Sequence, residues 1–223
     1  LAGYGGITPG PGALAVVTAP GAETALLYRL GDGAAEQVGC LQGVQGAPGT
    51  LAAGDVDGDG LEDLAFTSTE GSVRLLSGQS LQALTAADAA CGGAWAAGAE
   101  LAAFECRDAE GLTGCESAQF GASVAVADLQ GDGRSEVVVG VPGAHAGSRR
   151  AAGGAMVFEL SDPAEVSDTY RVSSASAGAR YGTSLAAVRV GERDVLALGG
   201  AGTVAVAYCS ALVPDTDALS RCH

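Results

Sequence analysis

The chain has 223 residues, 48% of them hydrophobic but only 4% aromatic, with 36 glycines and a formal net charge of −15. That balance supports a core of small apolar side chains broken by many turns rather than long helices. It argues against nucleic-acid binding, which wants a basic stripe, and against docking on anionic lipid, and no apolar run is long enough to span a bilayer.

The chain opens at Leu1 without Met, which reads as a processed terminus or a fragment of something longer. Residues 14–18 and 25–28 are short apolar runs that predict strands. Residues 51–54 and 64–67 predict two more, followed by residues 71–76. Between them lies Asp55-Val56-Asp57-Gly58-Asp59-Gly60-Leu61-Glu62-Asp63. Its carboxylates recur at positions one, three, five and nine. Alternate side chains of such a loop point inward, Gly60 allows a sharp turn, and the Leu61 carbonyl fills position seven. Calcium takes six to eight oxygen ligands at about 2.3–2.6 Å, and this loop offers only oxygen. A solvated acidic turn is the plainer alternative, because Asp-Gly pairs are ordinary turn formers. Four carboxylates held together without a cation would repel one another. The loop is not an EF-hand, since no bidentate Glu follows at position twelve.

Residues 79–119 form a longer segment with an Ala-rich run and the only Trp, Trp95. It reads as an inserted loop pinned by a disulfide, with room for a short helix. The six cysteines include no C-x-x-C pair, which favours disulfides and an oxidising compartment over zinc. Proximity suggests Cys106–Cys115 and Cys209–Cys222, which leaves Cys40–Cys91.

After Phe120-Gly121, residues 124–127 predict a strand leading into Asp128-Leu129-Gln130-Gly131-Asp132-Gly133-Arg134-Ser135-Glu136. Asp55 to Asp128 and Asp63 to Glu136 are both 73 residues, so the two loops align without a gap. Asp128, Asp132 and Glu136 keep positions one, five and nine, Gln130 stands at three, and Arg134 at the carbonyl position. A third copy starts at Tyr181-Gly182, with its loop shortened to residues 189–194 and strands at 195–198 and 203–208. Residues 14–21 match residues 136–143 position by position and mark a fourth, eroded copy. The copies run over residues 1–46, 47–117, 118–178 and 179–223.

The aromatic-Gly pairs, the two acidic loops and the turns Thr18-Ala19-Pro20 and Gly140-Val141-Pro142 resemble the FG-GAP (VCBS-like) repeat family of integrin α subunits. The copy with the fuller loop departs from the pattern, with Ala47-Pro48 at the aromatic-Gly place and Thr67-Ser68-Thr69 at the Pro turn. The resemblance implies an all-β, propeller-like array of about four antiparallel blades. The array either closes on itself or is an arc of a larger propeller. Ca2+ is the implied cofactor. The metal ligands would be Asp55, Asp57, Asp59, Leu61 and Asp63 in the first loop. In the second they would be Asp128, Gln130, Asp132, Arg134 and Glu136.

No catalytic constellation stands out. His145 and His223 are the only histidines, and there is no G-x-S-x-G elbow. His145 reads as an exposed loop residue, and Arg149-Arg150 as a solvated loop. The leading expectation is a calcium-stabilised, non-catalytic extracellular or cell-surface adhesion module that meets a protein partner or an extracellular glycan. A lectin-like propeller and an accessory domain of a larger secreted enzyme are the alternatives.

Overall fold

The computed structural model describes residues 4–7, 13–18, 21, 23–31, 33–47, 50–84, 88–91, 99–108, 112–162, 165–173, 176–202 and 204–207. The described strands form four antiparallel sheets, each a meander in chain order. Sheet 1 holds β1 (Tyr4–Ile7), β2 (Leu14–Thr18), β3 (Thr24–Gly31) and β4 (Ala34–Gln42). Sheet 2 holds β5 (Leu51–Gly54), β6 (Asp63–Thr67), β7 (Val73–Leu76) and β8 (Glu100–Phe104), with helix α1 (Gly78–Gln82) between its last two strands. Sheet 3 holds β9 (Val124–Ala127), β10 (Glu136–Gly140), β11 (Gly154–Asp162) and β12 (Glu165–Ser173). Sheet 4 holds β13 (Ser184–Val190), β14 (Arg193–Gly199) and β15 (Val204–Ala207).

A single meander cannot bury both its faces, and stacking buries both for sheets 2 and 3. Side chains alternate across a strand, so successive residues serve different interfaces. On β6, Leu64 and Phe66 join Leu14, Val16 and Leu27 of sheet 1, whereas Ala65 faces sheet 3. On β10, Val137 and Val139 face sheet 2, whereas Val138 joins Leu196 and Leu198 of sheet 4. Every residue of β6 and β10 is therefore buried. The first strands of neighbouring sheets pack on one another, β1 on β5, β5 on β9 and β9 on β13. Small residues permit that approach. A Cβ added at Gly54 would come within 2.4 Å of Val126 Cγ1.

Phe120 and Tyr181 take equivalent half-buried places, each ahead of a glycine with positive φ, 79° at Gly121 and 86° at Gly182. Phe120 meets Phe158 edge-on at 6.1 Å, and Tyr181 packs on the cluster between sheets 3 and 4.

Two expectations are corrected. The 79–119 segment is not simply an inserted loop, because it supplies β8, the fourth strand of sheet 2. Phe104 on that strand is buried against Phe158 at 4.8 Å. A short helix forms at Gly78–Gln82, at the start of that segment, where Ser77 caps it, and residues 85–87 and 92–98 lie outside the described residues. Trp95 lies outside the described residues. His145 is half-buried rather than exposed, and its Nδ1 accepts the Ala151 N–H at 3.1 Å. Arg149 and Arg150 are exposed, as expected. Disulfides Cys40–Cys91 and Cys106–Cys115 are present, whereas Cys209 and Cys222 fall outside the described residues.

Candidate metal centre

Each acidic loop joins the first strand of its sheet to the second. Positive-φ glycines, Gly58 and Gly60 in one and Gly131 and Gly133 in the other, bend the chain so that N–H groups point inward. Asp55 Oδ1 accepts the Gly58 N–H at 2.7 Å, and its Oδ2 accepts that of Gly60 at 2.9 Å. Asp128 repeats this with Gly131 at 2.6 Å and Gly133 at 3.2 Å. Asp59 accepts the Leu61 N–H, and Asp132 that of Arg134. Asp63 accepts the Val56 N–H at 2.9 Å, and Glu136 that of Leu129 at 2.8 Å. The 73-residue offset thus carries these bonds from one loop to the other at positions one, five and nine. Position three breaks it. Asp57 accepts the Asp59 N–H, whereas the Gln130 amide donates to Glu136 Oε1 at 3.3 Å.

The two loops gather their carboxylates differently. Asp55, Asp57 and Asp63 each offer an oxygen, and these lie within 4.8 Å of one another. Two ligands on opposite sides of a calcium ion stand about 4.6–5.2 Å apart, so the cluster fits one such ion. Among the described residues no other acidic group is gathered in this way. Asp59 is exposed and outside the cluster, and Leu61 follows half-buried in the same turn.

Burial sets the electrostatics. The Asp63 carboxyl is fully buried and rises from 3.8 to about 6, mainly through lost solvation, although N–H donors from Gly78 and Val56 pull it down. Glu136 is raised by burial from 4.5 to about 7, against bonds from Leu129 and Gln130. Asp57 is also raised, first by burial, with repulsion from Asp59 and Asp55 adding to it and Arg134 opposing.

Both raised carboxyls hold their protons more tightly in the folded chain than in the unfolded one. Their contribution to folding is full below about pH 4 and is lost as pH rises through about 6 and 7. Metal-stripped protein should melt at progressively lower temperature from pH 4.5 to 7.5. A dication bound at Asp63 competes with the proton, so saturating calcium should flatten the decline. Calorimetry on stripped and calcium-loaded samples checks this, and a rise in melting temperature with pH in stripped protein contradicts it.

Two arginines reach the loops unannounced by the acidic spacing. Arg134 leaves the second loop and donates from Nη2 to the Asp57 carbonyl of the first at 2.6 Å. Its guanidinium lies against Gly58, where an added Cβ would come 3.0 Å from Nε. The bond is to backbone, and no ion pair joins Arg134 to the clustered carboxylates. Arg189, from β13, pairs with Asp128 Oδ2 at 3.0 Å. Backbone bonds tie the loops in a row, from Ser135 N to Asp55 O and from Asp194 N to Asp128 O, both 2.7 Å. The signal for Arg189 was its place in the third, shortened loop, which this row sets beside the second.

No curated protein matches the chain. Residues 120–155 match the family model described as FG-GAP repeat. That stretch covers Phe120-Gly121, β9, the second acidic loop, β10 and the start of β11. The chain thus contains an FG-GAP repeat, seated in its third sheet.

Proposed function

We propose that the chain is a calcium-stabilised, non-catalytic extracellular interaction module with its sheets arranged as propeller blades. The clustering of Asp55, Asp57 and Asp63 oxygens within 4.8 Å carries the calcium reading. Asp59 and the Leu61 carbonyl would complete the set. The ion would neutralise three crowded carboxylates and fix the β5–β6 connection, leaving neighbouring loops free to meet a partner. The FG-GAP repeat and the two disulfides support an extracellular setting. The outer face of sheet 4 exposes Val188, Val190, Val204 and Val206. This supports packing of a further sheet there, as in an arc of a larger propeller.

Thermal melting tests the calcium reading. With free calcium about a hundredfold above its dissociation constant, linkage adds about 2.7 kcal/mol per site. Wild type should melt higher in calcium than in chelator, and Asp57→Ala should abolish that difference while Gln130→Ala preserves it. Coincident melts of wild type in the two buffers would contradict it.

A further inference from the structure

We infer that the second acidic loop carries the Arg189 guanidinium in place of a metal ion, so that calcium binds through the 55–63 loop alone. The part concerning the first loop rests on the reading above. The part concerning the second rests on a different set of contacts.

Calcium does not fit the second loop as it stands. The Asp128 side chain is only 8% exposed, and both its oxygens accept backbone N–H groups, as at Asp55, with a guanidinium added. Oδ1 accepts N–H groups from Gly131 and Asp132, and Oδ2 accepts that of Gly133 together with the Arg189 guanidinium. Arg189 also stands 3.7 Å from Asp194 Oδ1, and Asp194 Oδ2 accepts the backbone N–H of Asp128 itself at 2.9 Å. Asp128, Arg189 and Asp194 therefore close a carboxylate–guanidinium–carboxylate bridge from the β9–β10 loop to the β13–β14 hairpin. The guanidinium keeps its charge at any working pH, and a dication at the same carboxylate would meet that fixed positive charge. At position three, Gln130 turns its amide N–H toward Glu136 and lends no charge. Asp55, the equivalent of Asp128 in the first loop, accepts backbone N–H groups and, among the described residues, pairs with no arginine. Loop geometry is shared, and the source of positive charge differs.

Arg189 reaches the loop from the surface, 52% exposed, so its replacement leaves the core intact. Equilibrium dialysis against calcium, with melting in parallel, tests the inference on wild type, Asp57→Ala, Arg189→Gln and the double variant Arg189→Gln/Gln130→Asp. Wild type should bind one calcium per chain, and the double variant two. In metal-free buffer Arg189→Gln should melt below wild type, because Asp128 loses its countercharge. Two ions on wild type, or no gain of an ion in the double variant, would overturn the inference. Failure of the first-loop reading looks different: wild type binds none and Asp57→Ala changes nothing, while the double variant still gains one ion if Arg189 plays this part.

Discussion

Replacing Asp63 by Ala should lower the folding free energy by about 3–5 kcal/mol in chelator, and by more in calcium, where a metal ligand is lost as well. The Asp63 side chain is fully buried and accepts three backbone N–H groups, from Val56, Asp57 and Gly78. The first two belong to the acidic loop and the third opens α1, so one carboxylate joins loop, strand and helix. Alanine leaves the buried Val56 and Gly78 N–H groups and the part-buried Asp57 N–H without their partner. An unmade buried bond costs about 1–3 kcal/mol. In chelator Asp59→Ala, at an exposed position, should change stability by less than about 1 kcal/mol. Urea unfolding of both variants measures the contrast. A loss below about 1 kcal/mol for Asp63→Ala would show that the loop re-forms its bonds elsewhere.

Removal of Cys40–Cys91 should cost about 4 kcal/mol, and removal of Cys106–Cys115 about 2.7 kcal/mol. The first bridge joins residues 51 apart and fastens β4 of sheet 1 to the segment after α1. The second joins residues only 9 apart, beside β8. A longer closed loop removes more freedom from the unfolded chain, which sets the order. Paired Cys→Ser variants unfolded in urea give both values. A larger loss for the Cys106–Cys115 pair would show that native contacts, not chain entropy, dominate.

The repeat was legible because two local signals coincide, the acidic spacing and the apolar runs on either side. Their 73-residue offset survives as matching bonds at Asp55 and Asp128, and at Asp63 and Glu136. Strand β8 was hidden because its short run follows an Ala-rich stretch, and pairing with β7 decides its state. His145 looked exposed because nothing in its spacing announces that the loop folds back and brings the Ala151 N–H to its ring. The arginines were hidden for a related reason. Arg134 and Arg189 act on loops of neighbouring sheets, and spacing within one loop carries no information about the sheet packed beside it. The sequence aligned two similar acidic loops, and contacts between sheets gave them different sources of positive charge.

The most direct measurement is an anomalous difference map from crystals grown in calcium. The account predicts a calcium peak about 2.3–2.6 Å from oxygens of Asp55, Asp57, Asp59, Asp63 and the Leu61 carbonyl, with no peak at Asp128. Absence of a peak in the 55–63 loop, with its carboxylates bonded only to backbone and water, would contradict it.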